Sequence, residues 1–187
     1  KTIFGNKIQN LRYGENPHQE SSLYVNDYDD QNLGLEQLNG KELSFNNYND
    51  IFASLEILSS LKKKPATVVI KHANPCGVAQ NKFALTSFKN AYDSDPISAF
   101  GGVIACNFRI NEKIAQEISK NFVEVILAEN FDSKSLKILR KKKNLRIINT
   151  SKFRVKNLLT MKSFNNSFLI QSKDELIINK KKTKMCD

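Results

Sequence analysis

The sequence predicts an α/β fold, with a mostly parallel or mixed sheet and helices on both faces. Three observations point to it: short β-branched apolar runs at residues 66–70, 103–106 and 123–128, amphipathic stretches of roughly 10 residues between them, and turn formers at the junctions. Such alternation implies right-handed crossover connections, and ligands are then expected beyond the carboxyl ends of the strands.

The elements follow in order. The segment up to Gly40 is turn-rich and polar, with one strand predicted over residues 22–25. Asn47 or Asn49 is the predicted cap of a helix in NDIFASLEILSSLKK, where Ile51, Phe52, Leu55 and Leu58 recur at helical spacing. The unbroken ATVVI run at 66–70 reads as a buried strand. It ends at Lys71-His72-Ala73-Asn74-Pro75-Cys76-Gly77, predicted as a loop from its Pro and Gly. A helix over 83–92 is expected to stop at Asp95-Pro96, and a strand over 103–106 follows the Gly101-Gly102 turn. Asn111 is the predicted cap of a helix carrying Ile114, Ile118 and Phe122 on one face. A strand at 123–128, a helix opened by Ser133 through Leu136, Leu139 and Arg140, and a strand at 146–149 complete the alternation. Two further short strands are predicted at 168–171 and 176–179.

Composition sets bounds on function. With 187 residues, 40% hydrophobic and 26% charged, the chain reads as globular rather than disordered. No apolar run approaches the roughly 20 residues of a membrane helix, and KTIFGNKIQN lacks the apolar stretch of a secretory signal. A cytoplasmic location without a membrane partner is therefore expected. Cys76, Cys106 and Cys186, with His18 and His72, match no disulfide framework and no structural zinc spacing. The net charge of +10 comes from the last third: residues 133–187 hold sixteen Lys/Arg against three Asp/Glu. Only five of the basic residues are Arg, and the runs Lys141 to Lys143 and Lys180 to Lys182 are pure Lys. Nucleic-acid readers lean on Arg forks and aromatic platforms, so a solvated basic surface is the favoured reading and nucleic-acid binding the weaker one. A positive field would also help to collect anionic small molecules.

Four clusters could carry chemistry. At the end of a predicted strand, a neutral His72 could accept a proton from an amine attacking a carbonyl, and Lys71 could steady the developing oxyanion. Neighbours in extended chain face opposite ways, so the loop must bring both to one site. Arg12 and Tyr13, in RYGENPH, form a turn that could also clamp a phosphate. Gly101 and Gly102, in DPISAFGG, allow either a tight turn or close backbone approach to a ligand. Glu124 is the lone charge in an apolar run, facing solvent or accepting from ribose hydroxyls. Phosphate loops of the GxxxxGK[ST] type, GxGxxG turns and GxSxG elbows are absent from the sequence. The zinc deaminase pattern is broken, since no Glu follows His72 at the required spacing and Pro75-Cys76 has no second Cys.

Taken in order, LRYGENPHQ, LNGKELSFNN, VIKHANPCGVA, DPISAFGGVIA and FVEVILAE resemble the formyltransferase domain of the bifunctional purine-biosynthesis family that is also an IMP cyclohydrolase. The resemblance runs from about Gln9 to Asn149 and is looser beyond Thr150. It implies formyl transfer from 10-formyltetrahydrofolate, as co-substrate, to the 5-amino group of AICAR (5-aminoimidazole-4-carboxamide ribonucleotide). It implies His72 as proton acceptor, Lys71 as transition-state stabiliser, and Arg12, Tyr13, His72, Gly101 and Glu124 as AICAR contacts. It further implies a three-layer, cytidine-deaminase-like α/β/α unit without zinc, and a homodimer.

The resemblance divides the chain into a nucleotide-binding segment at 1–45, a first deaminase-like unit at 46–150 and a basic connecting segment at 151–187. The family's cyclohydrolase domain and second deaminase-like unit, which supplies most of the folate site, have no counterpart in this sequence. A fragment with little or no formyl transfer of its own is expected. A nucleotide-binding relic without catalysis is the alternative, and a basic nucleic-acid module a more distant one.

Overall fold

Period-two alternation along the central strands shares the apolar side chains between two cores, and those cores dictate where the helices lie. The computed structural model describes residues 5–25, 33–154 and 159–172. It divides the chain into two compact units, residues 1–154 and 155–187.

In the first unit, β1 (Asn6–Leu11) and β2 (Ser21–Val25) form an antiparallel pair. A six-stranded sheet follows, built from β3 (Glu36–Asn39), β4 (Ala66–Lys71), β5 (Asn74–Gln80), β6 (Gly102–Ile110), β7 (Val123–Phe131) and β8 (Arg146–Asn149). Its spatial order is β3-β8-β7-β6-β4-β5. The centre, β6-β7-β8, is parallel, whereas β3 against β8, β4 against β6 and β5 against β4 are antiparallel. The sheet is thus mixed, within the predicted class.

Helix α1 (Phe45–Ser59) covers one face, sealing Ile51, Leu55 and Leu58 against Val68, Ile70, Val103, Ala105, Val125, Leu127 and Ile148. Burying each of those three helix side chains contributes about 1.5–3 kcal/mol. Helices α2 (Ala84–Tyr92), α4 (Glu112–Ser119) and α5 (Ser133–Leu139) cover the other face, with Phe88, Ile114, Ile118 and Leu139 packed on Val69, Ile104, Ile126 and Ile147. The result is three layers, α/β/α.

Several boundaries differ from those predicted, each for a local reason. Ser44, not Asn47 or Asn49, caps α1: its hydroxyl accepts from the Asn47 amide, and the Asn47 side chain accepts from the Ser44 amide. The Asn-Pro-Cys-Gly stretch is strand β5, not a loop. Pro75 is tolerated on this outermost strand beside a bulge, where Cys76 is the extra residue between the pairs Val69/Gly77 and Ile70/Pro75. A Cβ on Gly77 would lie 1.8 Å from the Ala91 carbonyl oxygen, so glycine is what lets β5 lie against α2. Asp95-Pro96 does not merely end α2; Asp95 caps a further turn, α3 (Pro96–Ala99), with Pro96 in its first turn. Phe122 is not on the buried face of α4 but beyond its end, half-exposed, with its ring 5.0 Å from that of Phe100.

In the second unit, β9 (Leu159–Phe164) and β10 (Ser167–Ser172) form an antiparallel hairpin. The strand predicted at 176–179 lies outside the described residues. Among the described residues, no helix is long and apolar enough to cross a membrane.

Candidate functional site

Antiparallel β4 decides where the site lies. Ile70 pairs with Val103, so the carboxyl end of β4 sits beside the amino ends of β6 and β7, not beside their carboxyl ends. The expected placement of Lys71-His72 at the carboxyl end of a strand is seen on β4, whereas Gly101 and Glu124 stand at the amino ends of the parallel strands β6 and β7. This reversal gathers Lys71, the last residue of β4, with Gly101, just before β6, and Glu124, the second residue of β7.

His72 and Ala73 are the two turn residues between β4 and β5, with Lys71 paired to Asn74 across them. Their φ angles are 53° and 59°, the left-handed region at both positions that a two-residue hairpin of this hand demands. Neither residue is glycine. L-residues held there carry strain, which clusters at functional sites. The turn leaves His72 exposed, while Asn74 donates to its carbonyl at 2.8 Å. The Lys71 ammonium donates to the Phe100 carbonyl at 2.7 Å. One of its three donors is engaged there, and it is held over the turn that contains Gly101.

Gly101 adopts φ +72°, and its amide donates to the Phe122 carbonyl at 2.9 Å. A Cβ on Gly102 would come within 2.9 Å of the Ile70 carbonyl oxygen. Turn geometry and backbone contact therefore account for both glycines.

Glu124 owes its placement to a bulge. Gly102 pairs with Val123 and Val103 with Val125, leaving Glu124 as an extra residue in β7. Val123 consequently packs in one core and Val125 in the other, and the half-buried Glu124 is aimed at α1 rather than at open solvent. There its Oε2 accepts from Asn47 Nδ2 at 3.1 Å.

Arg12 and Tyr13 follow β1. The Arg12 guanidinium lies 4.9 Å from the centre of the Tyr13 ring and donates to its hydroxyl at 3.1 Å, with Arg12 exposed. The same turn reaches α1 through Glu15, whose carbonyl accepts from Asn46 Nδ2 at 3.3 Å. Its neighbour β1 touches α1 through Tyr48, which donates to Gln9 at 3.1 Å.

The first two turns of α1 are what the sequence reading missed. Asn46 meets the Arg12 turn, buried Asn47 meets Glu124, and Asp50 Oδ1 accepts from the Ala73 amide at 2.6 Å. Burial pushes the Asp50 carboxyl above the usual aspartate value, and nearby Glu124 adds to this; the Ala73 amide and the His72 imidazole pull the other way. The available signal was spacing: Asn47 and Asp50 are polar residues three apart, hence on one helix face, in a helix otherwise apolar towards the sheet.

A cavity of about 200 Å³ among Ile8, Gln9, Leu23, Leu43, Tyr48 and Ile148, and another of about 370 Å³ beside Glu36, Gln37, Asn149 and Lys152, are lined by none of the six predicted residues. Within the Lys run, Lys142 is not free surface charge: its ammonium donates to the Asn121 carbonyl, and burial lowers its pKa. Among the described residues, no group of three or more His, Cys, Asp or Glu is placed to hold a metal.

A sequence model of the AICARFT/IMPCHase bienzyme family matches residues 1–187. The chain belongs to this family. It is 42% identical over 180 residues to the bifunctional purine biosynthesis protein PurH of Thermoanaerobacter sp. (strain X514), covering 96% of this chain and 35% of that one. To PurH of Leptospira biflexa it is 44% identical over 185 residues, covering 98% and 36%. The chain thus spans about a third of the length of these AICARFT/IMPCHase relatives. Solved structures are more distant. RibD of Acinetobacter baumannii is 13% identical with a TM-score of 0.42, over 54% of this chain and 35% of that one. The apo dCMP deaminase of cyanophage S-TIM5 is 12% identical with a TM-score of 0.40, over 54% and 96%.

Proposed function

We propose that this chain supplies the AICAR-holding, proton-accepting part of a formyltransferase site acting in purine biosynthesis. The supporting observation is the gathering of Lys71, His72, Gly101 and Glu124 at one end of the sheet, tied through α1 to the Arg12 turn. In this reading Arg12 and Tyr13 hold the nucleotide phosphate and Glu124 accepts from the ribose hydroxyls. His72 takes a proton from the 5-amino group as its nitrogen bonds to the formyl carbon of 10-formyltetrahydrofolate. The oxyanion that forms is stabilised by the Lys71 ammonium. Collapse then breaks the bond from the formyl carbon to N10 of the folate, and N10 leaves with the proton that His72 had taken. In this reading most of the folate-holding groups come from a second deaminase-like unit of the family protein, and the intact enzyme is a homodimer.

Calorimetric titration of the chain with AICAR tests the reading. Binding is expected, weakened about tenfold or more by Arg12→Ala and by Glu124→Gln, as befits loss of a charge-assisted hydrogen bond. Turnover with 10-formyltetrahydrofolate is expected to be absent from the chain alone. An affinity that ignores both substitutions would overturn the assignment, and salt-sensitive binding of nucleic acid in preference to AICAR would favour a basic module instead.

A further inference from the structure

We propose that Asp50 is a positioning residue for His72: its carboxyl oxygen holds the His72-Ala73 turn in the left-handed conformation that presents the imidazole. The proposal rests on the reading of His72 as an AICAR contact.

A two-residue turn with positive φ at both positions is normally built from Asn-Gly or its equivalents. Here His72 and Ala73 occupy it at 53° and 59°. Each L-residue so placed is disfavoured by roughly 1–2 kcal/mol, so the turn needs an external hold. Asp50 provides one, accepting from the Ala73 amide at 2.6 Å.

The acceptor is itself fixed. The Ser44–Asn47 capping box sets the start of α1, and Asn47 is pinned to Glu124. Asp50, one turn further along the same face, can therefore meet Ala73 at one position only. Without it, the turn would be free to relax towards types without positive φ, which splay the strands and re-aim His72 relative to Lys71 and Glu124. A carboxyl oxygen accepts in either protonation state, so the hold does not require ionised Asp50.

The test uses the 187-residue chain with Asp50→Ala, Asp50→Asn and the double change Asp50→Ala with Ala73→Gly, each first shown to be folded by its thermal melt. NMR scalar couplings report the sign of φ at Ala73, and amide exchange reports its protection. Asp50→Ala should lose the positive φ and speed exchange of the Ala73 amide about tenfold, the scale of one strained residue. Asp50→Asn, which keeps an acceptor in place, should retain both. The double variant should regain the positive φ unaided, because glycine adopts it without strain, and with it an AICAR affinity close to that of the unsubstituted chain. A side chain that served only to stabilise the fold would not be rescued this way.

Unchanged coupling and exchange in Asp50→Ala would overturn the proposal, as would a lost turn with unaltered AICAR affinity. A parent chain that gives no heat with AICAR would count against the function reading alone, and the NMR arms would still decide whether Asp50 holds the turn.

Discussion

Asn47 and Glu124, 77 residues apart in sequence, are joined by a 3.1 Å hydrogen bond from the amide of the first to the carboxylate of the second. The same Asn47 side chain closes the capping box at the start of α1. One buried residue therefore fixes both where the helix begins and where the bulged carboxylate of β7 points.

Asn47→Ala should destabilise the chain by about 2 kcal/mol, the sum expected for a lost cap partner and a half-buried carboxylate left without its donor. Asn47→Asp can still accept from the Ser44 amide but sets a second carboxylate against Glu124. It should be more damaging at neutral pH than in acid, where protonation relieves the repulsion. Urea midpoints for the two variants at both pH values check this.

Gly77→Ala should cost about 3 kcal/mol or more, at or beyond the usual range for overpacking. The added methyl would meet the Ala91 carbonyl oxygen at 1.8 Å, and backbone on a packed helix cannot step aside as a side chain would. The expected signature is a lower urea midpoint with detachment of β5 from α2, visible as faster amide exchange along β5.

The central strands were legible because β-branched apolar runs such as ATVVI leave little choice of environment. β1 and β3 are polar strands, NKIQNL and EQLN, and carry no such pattern. β5 hid behind Asn-Pro-Cys-Gly, whose turn chemistry is overridden by its place on an edge, beside a bulge, against a helix that needs glycine there. Lys71, His72, Gly101 and Glu124 could each be singled out from sequence, but not their adjacency. That depends on β4 running against β6 and on one extra residue in β7, both properties of strand pairing between distant segments. The spacing of Asn47 and Asp50 marks a polar helix face in the sequence, but not what that face meets, since the partner of Asp50 is a backbone amide across the fold.

Cys106 should resist alkylation in the folded chain. It is fully buried, hydrogen-bonded to Thr67, and burial drives its thiol up to about 12, so almost no thiolate exists at neutral pH. Half-buried Cys76 is also raised, by burial first, but has partial solvent access. Iodoacetamide followed by peptide mass spectrometry should label Cys106 only after denaturant is added, with Cys76 modified earlier. Equal labelling of both in native buffer would contradict the packing of Cys106.

Asp50 gives a pH dependence whose sign is fixed by its environment. Burial raises its pKa above the ordinary 3.8, so the folded chain binds this proton more tightly than the unfolded chain. The resulting stability is fully present below the unfolded pKa and is lost as pH rises through the higher folded value. Asp50→Asn keeps the acceptor for Ala73 but has no proton to lose. The stability of the parent chain relative to Asp50→Asn should therefore fall as pH rises from about 3.5 and level off above the folded pKa. Denaturant midpoints for both proteins across that range measure the difference. A difference that grew with pH would mean that the Ala73 amide and the His72 charge outweigh desolvation at this carboxyl group.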